Sequence, residues 1–335
     1  MPNVGMRFRN WCSVEAPARL HLGFLDLNGS LGRRFGSLGL TLEGLSTRVS
    51  VARAPQTVVR GIPEERPLAW LQALRRECGV DGGIELHVEQ TIPQHAGLGS
   101  GTQLALAVGT AVSQLHGLDL APRRVAQILG RGARSGIGIG AFERGGFIVD
   151  GGRTRGGTPP PVVSRLDFPE DWRVLLILDH GLRGLHGASE AEAFRNLPPF
   201  PERSSERLCR LLLMQGLPAL AEGDIAGFGA AVRDLQHTIG DYFAPAQGGR
   251  YTSPRVARTL NWLEAQGISC AGQSSWGPTG FAIVESEEHA RSLLLRVKAG
   301  SCEDGLVEIR LVRARNRGAE TWLQQESAGL RSSTA

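Results

Sequence analysis

Residues 91–112 read TIPQHAGLGSGTQLALAVGTAV. Gly97, Gly99 and Gly101 crowd around Ser100 and Thr102, and an apolar, alanine-rich run follows at once. The preceding segment, GIELHVEQ at 83–90, has the character of a strand. The spacing predicts a strand, a glycine loop and a helix in succession. Such a loop bares backbone N–H groups at a helix N-terminus, where the dipole favours an anion, most often a phosphate. Glycine serves there because it allows close approach and positive φ. The same pattern also makes a plain turn that packs a helix on a sheet, and the residues alone leave both readings open.

The two common nucleotide loops fit poorly. The dinucleotide fingerprint needs Gly-x-Gly-x-x-Gly, whereas these glycines fall at alternate positions. The Walker loop ends in Gly-Lys-Ser/Thr, whereas Gln103 follows Gly101-Thr102. Lys298 is the only lysine among 37 Lys and Arg residues. A phosphate or carboxylate clamp must therefore use arginine forks, backbone amides and hydroxyls.

The chain has 335 residues, enough for two ordinary domains. A hydrophobic content of 41%, with 6% aromatics and 45 glycines, points to compact α+β layers with many loops. The net charge of +4 is mild, and the basic residues are interleaved with acids. That distribution speaks against nucleic acid and suits small anionic substrates. No apolar run reaches about twenty residues, and MPNVGMRFRNW lacks the apolar core of a signal peptide. A cytoplasmic protein without a membrane partner is expected. Cys12, Cys78, Cys209, Cys270 and Cys302 form no Cys-x-x-Cys pair, which predicts reduced thiols and no structural zinc.

Strands are expected at 46–53, 83–90, 172–179 and in FAIVES and LVEIRLVR, with helices at 63–79, 101–116, 122–131, 204–222, 224–242 and 254–266. A further strand is expected in GGFIVDGG, after the glycine-laden RGARSGIGIG. Residues 153–161 are rich in Gly, Pro and Thr and mark the linker between a domain at 1–160 and one at 161–330. The second half reads as a split β-α-β layer. Within it, DHGLRGLHGASEAEAF carries His180, Arg183, His186 and Glu190 and has the look of a substrate loop feeding a helix. The tail SAGLRSSTA is expected to fray.

Three glycine-centred segments occur in order: PARLHLGFLDLNGSLGR, PQHAGLGSGTQ and GQSSWGPTGFAI. This order resembles the GHMP superfamily of small-molecule kinases. The resemblance implies a ribosomal protein S5 domain 2-like N-terminal domain, a ferredoxin-like C-terminal domain and a ligand cleft between them. It also has a gap. The kinases carry Ser-Gly-x-x-Asp, whose acid helps deprotonate the acceptor, but Ser135-Gly136-Ile137-Gly138-Ile139 places Ile139 at that position. Isoleucine can neither accept a proton nor hold a metal.

Within the superfamily, ARLHLGFLDLNGSLGR, GRGARSGIGIGAFERGGFIVDGG and GQSSWGPT resemble the β-ribofuranosylaminobenzene 5′-phosphate synthases. Members join phosphoribosyl pyrophosphate to 4-aminobenzoate, or to 4-hydroxybenzoate, and release CO2 and pyrophosphate in tetrahydromethanopterin biosynthesis. The resemblance implies a homodimer, Mg²⁺ and no organic cofactor. The alternatives are an ATP-dependent kinase with a relocated base and a non-catalytic sugar-phosphate sensor.

The resemblance assigns pyrophosphate and phosphate binding to Arg19, Gly97, Gly99, Ser100, Gly101 and Thr102. It assigns catalytic roles to Asp26, Arg134 and Ser135. The aromatic substrate falls to His21, Asn28, Gln273, Ser274, Ser275 and Trp276, with Trp276 stacking on its ring. Asp26 and Glu143 are the candidates for Mg²⁺. Taken as residues alone, each has a plainer role. Arg19 can be a surface ion pair and His21 a core histidine; Asp26 and Asn28 can cap a turn. Glu143 can pair with Arg131 or Arg144, and Trp276 can cover a domain interface.

Overall fold

The computed structural model describes residues 9–184, 187–300 and 306–326. His186, Cys302 and the tail from 327 lie outside the described residues. The chain opens with two long antiparallel strands, β1 (Arg9–Asp26) and β2 (Phe35–Ala54). Only the second half of β2 was expected from the pattern. The first half is buried on both faces and so shows no alternation. Next come β3 (Val58–Arg60), α1 (Glu65–Cys78), β4 (Gly83–Gln90) and α2 (Ser100–Leu115). They are followed by α3 (Pro122–Ile128), α4 (Ile137–Glu143) and β5 (Phe147–Asp150). Residues 151–161 are irregular apart from a single bridge at Arg153, as their composition predicts.

The second half contains β6 (Val162–Leu166), β7 (Arg173–Asp179), α5 (Gly187–Asn196) and α6 (Glu202–Leu211). A π turn at 212–216 joins α6 to α7 (Leu217–Glu222). Then follow α8 (Ile225–Gln247), α9 (Pro254–Ala265), β8 (Ala271–Gln273), β9 (Thr279–Val284), α10 (Glu287–Gly300), β10 (Val307–Val312) and β11 (Glu320–Glu326).

Two sheets result, and the fold is the expected α+β one. The first runs β11-β1-β2-β4-β3, with β5 and β6 continuing from β2; the second is antiparallel, β10-β7-β9-β8. β6 and β11 therefore belong to the first sheet although they follow residue 160. The division at 160/161 is corrected accordingly: the chain crosses to the second layer after β6 and returns in β11. Hydrophobic periodicity cannot reveal this, because it reports a buried face and not the sheet that covers it.

α2 is buried from Gln103 to Ser113 and packs on β1 and β2. α8 binds the two layers together. Its Phe228 meets Phe147 of β5 edge-on at 5.5 Å, and its Gln236 donates to the Leu22 carbonyl of β1 at 2.6 Å. One apolar cluster thus runs through both halves, which fixes the groove between them.

Candidate active site

The glycine loop connects β4 to α2 as its spacing predicts. Gly99 occupies the N-cap of α2 with φ +87°, and no side chain caps the helix. Its carbonyl accepts from the N–H groups of Thr102 and Gln103, both at 3.0 Å. The N–H groups of Ser100 and Gly101 have no intrahelical acceptor. No acidic residue stands in the first turn. This end of α2 opens on a cleft with about 650 Å³ of empty space, lined also by Arg19, His95, Arg131, Glu190, Ser275 and Gly277.

Two arginines flank the helix end. Arg19, on β1, donates from Nη1 to the Gly97 carbonyl at 2.5 Å and lies under Gly99. A Cβ on Gly99 would sit 3.3 Å from the guanidinium carbon, so only glycine leaves the arginine in place without crowding. Burial lowers the Arg19 pKa to about 10, and the neighbouring Glu190 partly offsets this. Arg131, just beyond α3, brings Nη2 within 2.6 Å of where a Cβ on Gly101 would be. Burial and then the like charge of Arg66 lower its pKa. The Nε of each arginine is buried without a hydrogen-bond partner. Among the described residues no carboxylate pairs with Arg131. The cleft is therefore a pocket of incompletely matched positive charge at a helix N-terminus, which is chemistry for a polyanion.

The late loop closes the other wall. Ser274 is fully buried; its Oγ donates to the Gly97 carbonyl at 2.8 Å and accepts from the His21 N–H at 3.0 Å. Ser275 N–H in turn donates to the His21 carbonyl at 3.0 Å. Ser274 thus ties the anion loop to β1. Among the described residues four non-glycine positions have positive φ, and two of them, His95 and Ser275, line this one cleft. Strained backbone concentrated there is typical of a working site.

The expected residues divide clearly. Arg19, Gly97, Gly99, Ser100, Gly101, Thr102, Ser275 and Trp276 border the cleft. The expected role of Trp276 as a stacking platform is corrected: its side chain is 1% exposed, with Phe243 against it at 4.1 Å and Phe194 edge-on at 5.4 Å. Its aromatic neighbours already take up the ring, so the tryptophan is part of the interdomain core. His21 is also a core residue. It packs on Phe24, and burial together with Arg19 lowers its pKa to about 3. Gln273 knits the late loop to Gln236, Gln247 and Thr252 and does not line the cleft.

Asp26 and Asn28 are corrected too. Asp26 caps its own turn, accepting from the N–H groups of Asn28 and Gly29 at 2.9 Å, and it also accepts from Ser205 Oγ at 2.8 Å. Asn28 donates to the Phe200 carbonyl at 2.8 Å. Seven residues of extended chain put Asp26 roughly 20 Å along β1 from Arg19. Ser135 belongs to a buried knot with Ser37 and Asp150, whose carboxylate also receives the Gly136 N–H at 2.8 Å. Arg134 does not line the cleft; its Nη1 pairs with Oε2 of Glu190, which does, at 2.5 Å. Glu143 sits exposed at the end of α4 beside Arg123 and Arg144. Among the described residues no three His, Cys, Asp or Glu side chains group to hold a metal.

Ile139, at the position of the kinase acid, is 1% exposed and packs in the first-sheet core. The sequence missed Arg131 as a cleft residue, and placed Glu190 in a substrate loop without assigning it to the anion site. Nothing in its neighbours distinguishes Arg131 from the other charges; only tertiary packing brings it and Glu190 to the start of α2.

Comparison with known proteins accords with this geometry. Residues 66–146 match the GHMP kinases N terminal domain, and 217–301 match the GHMP kinases C terminal domain. The chain is 36% identical to β-ribofuranosylphenol 5′-phosphate synthase of Archaeoglobus fulgidus, over 92% of this chain and 98% of that protein. The chain belongs to this synthase family. The family's Methanothermobacter thermautotrophicus member is 34% identical, over 82% of this chain and 89% of that protein. The fold is shared more widely. Homoserine kinase from Cytophaga hutchinsonii superimposes with a TM-score of 0.65 at 18% identity, over 96% of this chain and 99% of that one. Family membership makes the chain an enzyme of the synthase type on a GHMP kinase scaffold.

Proposed function

We propose that the enzyme condenses phosphoribosyl pyrophosphate with 4-hydroxybenzoate or 4-aminobenzoate, releasing CO2 and pyrophosphate, as a step of tetrahydromethanopterin biosynthesis. The observation that carries this reading is the pair of arginines, Arg19 and Arg131, incompletely matched in charge at an uncapped helix N-terminus. That site suits a leaving pyrophosphate. The bond from the anomeric carbon to pyrophosphate breaks as the ring carbon bearing the carboxylate attacks. The carbon–carboxylate bond then breaks, and its electrons restore the aromatic ring. CO2 leaves where a proton otherwise would, so no carboxylate base is required, in keeping with Ile139. The protein's task is to orient the reactants and to receive charge as it develops on the leaving group. The relatives' name specifies a phenol, the product expected from 4-hydroxybenzoate, which favours that acceptor.

We further propose that Mg²⁺ enters as the counter-ion of the donor's own phosphates, and that the enzyme acts as a cytoplasmic homodimer. The deciding experiment mixes the purified protein with phosphoribosyl pyrophosphate, Mg²⁺ and each benzoate in turn, and follows pyrophosphate and carboxyl-labelled CO2. Stoichiometric release of both supports the proposal. Phosphoryl transfer from ATP to an alcohol, without such release, returns the chain to the kinases. Donor binding without turnover makes it a sensor.

A further inference from the structure

Glu190 is out of place in a cleft built for anions. It lines the same space as Arg19, Arg131 and the first turn of α2. A carboxylate there repels a diphosphate, so some other part of the ligand must offset that repulsion. Glu190 is also held in place. Its Oε2 is anchored by Arg134 at 2.5 Å, and Arg134 itself rests over the Phe194 ring at 5.4 Å. The second oxygen, Oε1, has no hydrogen-bond partner among the described residues. A carboxylate paired with arginine accepts hydrogen bonds, and this oxygen, on a side chain 19% exposed, is open to a donor from water or from a ligand in the cleft, a sugar hydroxyl included. The ribose of the proposed donor carries a vicinal diol, and its diphosphate belongs with the arginines across the cleft.

We propose that Glu190 is the sugar-reading residue, accepting hydrogen bonds from the ribose hydroxyls, with Arg134 as the positioning residue that orients it. This rests on the phosphoribosyl reading of the cleft and names its specificity determinant. The plain alternative makes Glu190 a mere counter-ion for Arg134 and Arg19, indifferent to the sugar.

Ribose 5-phosphate and 2-deoxyribose 5-phosphate distinguish the two by calorimetric titration of the intact enzyme. The wild type should prefer ribose 5-phosphate by about ten-fold or more, the worth of a hydrogen bond to a charged acceptor. In Glu190→Ala and Glu190→Gln that preference should shrink, towards parity in the alanine variant. Inorganic pyrophosphate should bind both variants at least as tightly as the wild type, because a repelling charge is gone. Arg134→Ala should narrow the preference by a smaller factor. If both sugars weaken equally in Glu190→Ala, or the wild type shows no preference, the sugar-reading role is overturned. If the wild type binds neither sugar phosphate but binds ATP, the phosphoribosyl reading falls with it. Retained pyrophosphate binding separates these outcomes from misfolding.

Discussion

Arg131→Met tests the reading of the cleft most directly, because it should move stability and affinity in opposite directions. Methionine keeps most of the unbranched stem and removes the guanidinium. In the free protein, burial and Arg66 both disfavour that charge, and Nε has no partner. Removing it should stabilise the unliganded fold by about 1 kcal/mol, raising Tm by roughly 1–3 °C in a chain of this size. A polyanion at the α2 N-terminus would lose a charge-assisted contact worth about 1.5–3 kcal/mol, so Kd should rise about ten- to 150-fold. Titration with inorganic pyrophosphate, beside thermal unfolding of the same samples, reads both quantities. Repeating it at higher salt should weaken binding to the wild type more than to the variant, since one ion contact is missing. Unchanged pyrophosphate affinity, or a Tm that drops together with affinity, would refute the assignment and leave Arg131 a structural residue.

Gly99→Ala places a methyl 3.3 Å from the Arg19 guanidinium at a φ of +87°; a cost of about 1–2 kcal/mol and weaker pyrophosphate binding are expected, and normal values of both in unfolding and titration would contradict the packing. Trp276→Ala should cost about 3–5 kcal/mol in denaturant unfolding, as a large buried aromatic does; unaltered stability with only a raised KM for benzoate would restore the stacking role. His21 has a folded pKa of about 3 against an ordinary 6.5, so the unfolded chain takes up the proton first. Its contribution is intact above pH 6.5 and is lost as pH falls from there towards 3, at about 1.4 kcal/mol per pH unit. Urea unfolding at pH 7, 5.5 and 4.5 should show a shallower decline for His21→Phe than for wild type, and parallel declines would exclude this effect.

The anion loop was legible because its chemistry is local. Glycines at fixed offsets between a strand and an apolar helix describe a backbone shape that needs no distant partner. Ile139 was legible for the same reason, as one residue missing from a short motif. The roles of Asp26, Trp276 and Arg134 were not. Each depends on which groups arrive from elsewhere: Ser205 from α6 for Asp26, Phe194 and Phe243 for Trp276, and Glu190 for Arg134. A polar residue in a glycine-rich loop looks the same in one dimension whether it faces a ligand or a neighbouring helix.

The sequence by itself determined the strand–loop–helix, the absence of a kinase acid and the family to which these belong, since all three are carried by short stretches of contiguous chain. Only the tertiary structure decided that Arg131 and Glu190 share a cleft with Arg19, that Ser274 ties the anion loop to β1, and that β11 returns to the first sheet. These depend on contacts between residues far apart in the chain, set by how the two apolar faces of the sheets and α8 bury one another. Burial of that kind is non-directional and is satisfied by the whole fold; the charges it gathers at the α2 N-terminus follow from that packing and from no motif of their own.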